Sequence, residues 1–339
     1  MLLFNVKCQK KSSSLHYEII DKIMKIIEKF KAGKTLFAFE LLPPLKGDTI
    51  NTLYNTIDTL REYDPSYINV TYHREEVKFI EREGGLMEKR IVRKRPGTVG
   101  ISAAIQARYG IDVVPHLICG GFSVLDTEDA LIEMNFLGID NVLALRGDNI
   151  RGENTFRPVE GGHLHASNLV RQIQDMNHGR YVSGEVEHPT PTDFCIGVAG
   201  YPEKHSESPN MTMDISHLKE KVDAGADYIV TQMFFDNDKF YDFVDKCRAA
   251  GINVPIIPGL KPFSTKTQLN VLPQVFGTDI PEDLAMAVEK ARDNAQVREI
   301  GIEWCKEQCR SLISHGVPAI HFYTMSRADN IAAVVRDVF

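Results

Sequence analysis

Two carboxylates and an arginine stand where short apolar runs stop. Glu40 ends the run Leu36–Glu40 and is followed by Leu41, Leu42 and the stiff pair Pro43-Pro44. Asp148 follows Arg146 and Gly147, just past the run Val142–Leu145. Hydrogen-bonding side chains mark other runs: Thr71, Tyr72 and His73; His116; Tyr201 and His205; Gln232; His321 and Tyr323. One acid, a second carboxylate beside a guanidinium, and a set of amide, hydroxyl and imidazole groups suit a defined task. They can hold a polar heterocycle and deliver one proton to it, while an organic cofactor supplies the harder chemistry. Glu40 is the natural acid, because a carboxyl bordered by Leu41 and Leu42 is expected to be poorly solvated. Poor solvation raises a carboxyl pKa and keeps its proton on nearer neutral pH.

Other chemistries lack their residues. No His-Glu-x-x-His or similar metal spacing occurs. No run ends on a lysine placed for a Schiff base, and no Gly-x-Ser-x-Gly elbow is present. Gly33-Lys34-Thr35 is not a phosphate loop: residue 28 is Glu where the first glycine belongs, and the segment leads into a strand. The six cysteines include no Cys-x-x-Cys, and Cys305 and Cys309 read as core-facing thiols at i, i+4 rather than metal ligands.

These groups need a scaffold that brings distant strand ends together. Eight β-rich runs recur: Leu36–Glu40, Tyr67–Thr71, Val113–Ile118, Val142–Leu145, Cys195–Ala199, Tyr228–Gln232, Val254–Ile257 and Ala319–Tyr323. They are near-continuous apolar runs, as parallel strands buried on both faces require. Helical spacing separates them: Ile50, Leu53, Ile57 and Leu60 follow Asp48 and Thr49, and Ile302, Cys305, Cys309 and Leu312 precede Gly316. Eight such units predict an α/β fold of the (β/α)8 TIM barrel type, with an extra N-terminal helix over Ile19–Phe30. A doubly wound sheet is the runner-up, but no Gly-x-Gly-x-x-Gly follows any run. The expected organisation is an extension and helix over 1–34, then one catalytic barrel over 35–339. Inserted loops at 72–98 and 149–163 would lie on the C-terminal, catalytic face, and the irregular stretch 178–193 on the opposite one.

The totals set outer limits. The chain has 339 residues, 43% hydrophobic and 25% charged, which suffices for a large core. A formal net charge of −7 gives no general attraction to nucleic acid or an anionic membrane. No apolar run approaches the ~18 residues that span a bilayer. The N-terminal segment MLLFNVKCQKKSSS turns basic and polar too soon for a signal peptide, so a cytoplasmic location is expected.

The motifs FAFELLPP, INVTY, PHLIC, ALRGDN, GYPEKH, KVDAGAD, TQMFFD, IIPGL and HFYTMSRAD resemble the methylenetetrahydrofolate reductase family, in its order and from about residue 36 onward. The resemblance, to the bacterial type with a catalytic domain alone, implies a (β/α)8 barrel that carries FAD non-covalently. It implies reduction of 5,10-methylenetetrahydrofolate to 5-methyltetrahydrofolate with NADH or NADPH, in ping-pong order, feeding methionine biosynthesis. Glu40 would then protonate the bridging nitrogen and open the five-membered ring to an iminium ion. Asp148 would act beside flavin and pterin, Gln232 would bond the pterin, and Tyr323 would contact the folate. Thr71, His116, Arg146, Gly147, Asp148, Ala166, Tyr201, His205, Asp214 and Lys221 would contact FAD. Homo-oligomers are common in the family; nucleic acid and membrane are not implied partners, and no metal is.

Departures accompany the resemblance. Leu272 aligns where some members place an aromatic ring after the seventh strand, and His217 where an asparagine is common. The 72–98 segment is longer than in minimal members. By the same resemblance no regulatory C-terminal domain like that of eukaryotic members is expected, nor inhibition by S-adenosylmethionine through one. The plainer reading of EKRIVRKRPG is a solvated charged hairpin. A sharper one has Arg93, Lys94 and Arg95 hold a polyglutamate tail. A non-redox pterin-binding barrel that transfers one-carbon groups is the alternative function, and a ligand-binding barrel without activity a third.

Overall fold

Alternation along each strand decides what faces the barrel axis, because successive side chains point to opposite sides. The computed structural model describes residues 24–150, 155–184, 186–325 and 328–339. Its strands are β1 Leu36–Leu41, β2 Tyr67–Val70, β3 Glu76–Arg82, β4 Leu86–Val92, β5 Asp112–Ile118, β6 Asn141–Leu145, β7 Cys195–Gly200, β8 Tyr228–Met233, β9 Ile256–Leu260 and β10 Ala319–Tyr323. Eight of them close a parallel barrel in the order β1-β10-β9-β8-β7-β6-β5-β2, while β3 and β4 pair only with each other. Helices follow the barrel strands, as at Asn51–Leu60, Val124–Phe136, Met211–Asp223 and Asn294–Ser314. The predicted (β/α)8 barrel is therefore the observed architecture.

Two cores result from the alternation. Leu36, Ala38, Tyr67, Val114, Leu143, Cys195, Tyr228, Val230, Ile257 and Ala319 cluster inside the barrel. The intervening residues, such as Phe37, Phe39, Ile68, Val113 and Val142, pack outward against the helices. A Cβ at Gly197 would stand 2.5 Å from the Tyr228 ring, so only glycine leaves room for that tyrosine in the lumen. Cys305 and Cys309 are buried and free, as core thiols should be.

The lower end is stoppered by the segment before β1. Of the helix expected over Ile19–Phe30, residues 19–23 lie outside the described residues. The described part is a helix over Ile26–Lys29 and a 3-10 turn over Phe30–Ala32, stopped by Gly33 at φ +72. Ile26 and Phe30 join the lumen cluster, and Phe30 meets Tyr67 and Tyr228 edge to face. Met24 N and Ile26 N donate to Asp112 Oδ1 and Asn141 Oδ1, each at 2.8 Å, and Lys29 pairs with Asp112. The 178–193 stretch ends beside this stopper, where Lys25 pairs with Asp193.

One strand boundary shifts, and the charged insertion takes the form of a hairpin. The seventh barrel strand runs Ile256–Leu260, later than the predicted Val254–Ile257, because the apolar run continues through Pro258-Gly259-Leu260. The charged 72–98 insertion contains a two-stranded antiparallel hairpin, with Phe79 opposite Lys89 at its centre.

Candidate active site

Parity carries the lumen outward into a polar mouth. On β1 the inward series Leu36, Ala38 continues to Glu40; on β2 Tyr67 continues to Asn69 and then Thr71. On β5 Val114 continues to His116, and on β10 Ala319 continues to His321 and Tyr323. Register sets these side by side: Glu40 lies opposite Asn69 on one flank and Tyr323 on the other. Glu40 Oε2 lies 3.7 Å from His321 Nε2 and 3.9 Å from His116 Nε2. The Glu40 backbone is held in turn, since Thr324 Oγ1 donates to its carbonyl at 2.7 Å.

The two imidazoles differ in what fixes them. Asn69 Nδ2 lies 3.4 Å from His321 Nδ1, and the His321 ring packs edge to face against Tyr323 at 4.9 Å. His116 is buried, and burial pushes its pKa down to about 4, against the pull of Glu40. At neutral pH His116 is thus uncharged, and its approach to Glu40 is a contact between a carboxyl group and a neutral ring, not an ion pair. Its Nε2 has no hydrogen-bond partner among the described residues, nor has the buried Thr71 Oγ1. Buried polar atoms left without partners point to something else that bonds them.

Tyr323 and Gln232 both reach the mouth with one bond already made. Tyr323 Oη donates to Thr231 O at 2.7 Å, and burial holds its pKa above the usual phenol range, with Glu40 adding to the shift. That reach needs Gly259: a Cβ there would stand 2.3 Å from Thr231 O and 2.6 Å from the Tyr323 ring. Gln232 precedes the end of β8, beside a register shift between Val230 and Met233. Its Oε1 accepts from Met233 N at 3.0 Å, which leaves its amide NH2 as the outward group.

Around this centre lies a more charged arc. Gly147 holds φ +85, a conformation that favours glycine, and turns the chain between Arg146 and Asp148. Arg146 grips Glu207 with both guanidinium nitrogens, at 2.5 and 2.8 Å, and covers the Phe156 ring at 5.0 Å. This pairing raises the Arg146 pKa and lowers that of Glu207. Tyr201 packs edge to face on His205 at 4.8 Å, and burial lifts its pKa to about 12. Lys221 donates to Ala199 O at 2.5 Å, and burial lowers its pKa to about 8, with Asp214 opposing the fall. Asp214 accepts from Ser208 Oγ at 2.7 Å. Asp148 is exposed; its charge bears on His73, Arg146 and Tyr201, and its carbonyl receives Arg74 Nη1 at 3.5 Å.

Most of the predicted site residues thus form a connected set. Ala166 opens the helix Ala166–Asn177 and has no described side-chain contact to the others. Asn69, Glu207 and Phe156 were missed. Asn69 is the polar member of an otherwise apolar run, INVTY, and its parity with Thr71 was a usable signal. Glu207 had none, since it meets Arg146 from 61 residues away. Leu272 is not on a loop, although Tyr323 packs against its cluster. It is buried on the helix Gln268–Phe276, in a cluster with Met233, Phe263 and Leu284, so its apolar character serves packing. His217 is exposed on the helix Met211–Asp223. The basic run is internally engaged: Arg93 pairs with Glu75 at 3.4 Å, Lys94 with Glu76, and Arg95 with the Pro43 carbonyl. These partners would compete with a polyglutamate tail for the same cations. Among the described residues no group of His, Cys, Asp and Glu could hold a metal, and no helix is long and apolar enough to cross a membrane.

Comparison with known proteins follows the same line. The family model described as Methylenetetrahydrofolate reductase matches residues 22–338. Methylenetetrahydrofolate reductase (NADH) 1 of Arabidopsis thaliana is 34% identical over 319 residues, which is 91% of this chain and 48% of that protein. The 5,10-methylenetetrahydrofolate reductase of Escherichia coli K12 is 31% identical, over 89% of this chain and 90% of its own length. The chain thus spans about half the length of its plant relative but nearly all of the bacterial one. Among solved structures, an uncharacterized Clostridium thermocellum protein that binds two copies of 5-methyl-5,6,7,8-tetrahydrofolic acid shares the fold. Its TM-score is 0.54 at 14% identity, over 92% of this chain and 98% of that one. A match along almost the whole chain, over a barrel mouth built from the same motifs, leads to one conclusion: this chain belongs to the methylenetetrahydrofolate reductase family.

Proposed function

We propose that the chain catalyses reduction of 5,10-methylenetetrahydrofolate to 5-methyltetrahydrofolate with NADH or NADPH, through bound FAD. The observation that carries this reading is the Glu40 carboxyl at the inner mouth of the barrel, within 4 Å of two imidazoles. FAD fits the residues present: buried His116 Nε2 and Thr71 Oγ1 lack partners, and Arg146 and Lys221 supply cations on the adjoining arc. Thr71, His116, Arg146, Gly147, Asp148, Ala166, Tyr201, His205, Asp214 and Lys221 would hold it. When bound, FAD would carry hydride from the nicotinamide to the folate, with the two substrates using the site in turn.

The chain's own residues supply position and a proton. Glu40 would give its proton to the bridging nitrogen of the folate as that bond opens. His321, pinned by Asn69, faces the same carboxyl oxygen and limits its rotation. The Gln232 NH2 would donate to the pterin, Asp148 would bond it from the far side, and Tyr323 would offer its ring to the folate. The product would feed methionine synthesis, and the enzyme would act in the cytoplasm as a homo-oligomer.

The decisive experiment is spectroscopic. The purified protein should be yellow, with a flavin spectrum that bleaches when NADH or NADPH is added anaerobically and recovers on adding the folate. A colourless protein that takes up no added FAD would overturn the reading and favour one-carbon transfer without redox.

A further inference from the structure

The hairpin of β3 and β4 has two unlike faces. On one, Glu88 ties together Arg82 and Arg90, each at 2.6 Å. On the other, the register places Val77 opposite Ile91, Phe79 opposite Lys89, and Glu81 opposite Met87. Phe79, Met87 and Ile91 are 63%, 59% and 67% exposed there. Glu81 and Lys89 are exposed and have no charged partner among the described residues. A two-stranded sheet is marginal in water by itself, and apolar surface on a free hairpin calls for cover.

We propose that this face is where two copies of the chain associate, hairpin on hairpin. The charges select the occupant. The face bears one acid and one base, placed on one diagonal of the four residues Phe79, Lys89, Glu81 and Met87. A twofold axis along the other diagonal sets Phe79 against the partner's Phe79 and Met87 against the partner's Met87. The same axis sets Glu81 against the partner's Lys89, and Lys89 against the partner's Glu81. An isologous contact must be complementary to itself, and this pattern is. The inference is independent of the proposed reaction.

Charge reversal tests it without touching the core. E81K and K89E are each measured alone, then mixed in equal amounts, by sedimentation velocity over a micromolar concentration series. The wild-type protein should sediment as an assembly with an even number of chains. Each single variant should need about tenfold higher concentration to reach the same state, since two ion pairs become two like-charge contacts. The mixture should recover the wild-type behaviour. An E81K copy presents two bases on this face and a K89E copy presents two acids, so the two variants complement each other at both contacts. F79S/I91S should also associate less. A wild-type monomer throughout the series, or an assembly unchanged in E81K and F79S/I91S, would overturn the proposal.

Discussion

Glu40 shares its side of β1 with Leu36 and Ala38, so the position that would be catalytic is the next inward step of a packed lumen. That placement sharpens what a conservative change should do. Glu40→Gln keeps the shape and the contacts to His321 and His116 but removes the proton that the folate step needs. NADH- or NADPH-driven reduction of a quinone acceptor should stay within about twofold of wild type, and folate reduction should fall by roughly 10²-fold or more. If both half-reactions fell together, Glu40 would be a support for the flavin rather than an acid. His116 gives a second expectation. Its folded pKa of about 4 lies below the ordinary 6.5, so the unfolded chain takes up a proton first as pH falls. The stability it contributes is full above about pH 6.5 and is lost as pH falls from there toward 4. The loss is on the order of 3 kcal/mol. In urea titrations at pH 7.5 and 4.5, His116→Gln should lose less stability than wild type between the two; equal losses would place the titration elsewhere.

At the scale of elements, the candidate site and the stopper occupy opposite ends of the same strands. The upper ends carry Glu40, Thr71, His116 and Tyr323; the lower ends receive the stopper helix Ile26–Lys29. Ile26 is fully buried in the lumen cluster, and its amide bonds Asn141. Ile26→Ala should therefore cost about 2–5 kcal/mol, the usual range for emptying an isoleucine site. Because the stopper is separated from the mouth by the lumen residues, kcat should stay near wild type at temperatures where the variant is folded. Thermal melts and steady-state rates on one preparation check both halves. A large fall in kcat with an unchanged melt would mean that the stopper positions the mouth rather than stabilising the barrel.

Across the whole molecule, what could be read from the chain was what parity and period write locally. Eight apolar runs separated by helical spacing specify the barrel, and the period of two carries Glu40, Thr71, His116 and His321 to one side. The unread parts depend on where loops travel. Arg146 meets Glu207 because the segment after β7 folds back over the mouth, and no local pattern records that. Leu272 stood out as a departure, a leucine aligned where some family members have a ring; the helix Gln268–Phe276 beyond β9 buries it in the core. Gly259 lies past the predicted run Val254–Ile257, yet it is inside β9 and lets Tyr323 reach Thr231. The unpartnered atoms at the mouth imply a property of the molecule as a whole. If FAD bonds His116 Nε2 and Thr71 Oγ1, it binds the native state and not the unfolded chain, so it must stabilise folding by mass action. At a free concentration about 100 times Kd the gain is ~2.7 kcal/mol, enough to raise Tm by several degrees. Protein stripped of flavin and then titrated with FAD should show Tm climbing with the logarithm of FAD concentration. Thr71→Val, which removes one of the two waiting groups, should need several-fold more FAD for the same rise. A Tm indifferent to FAD would mean that these buried atoms answer to water instead.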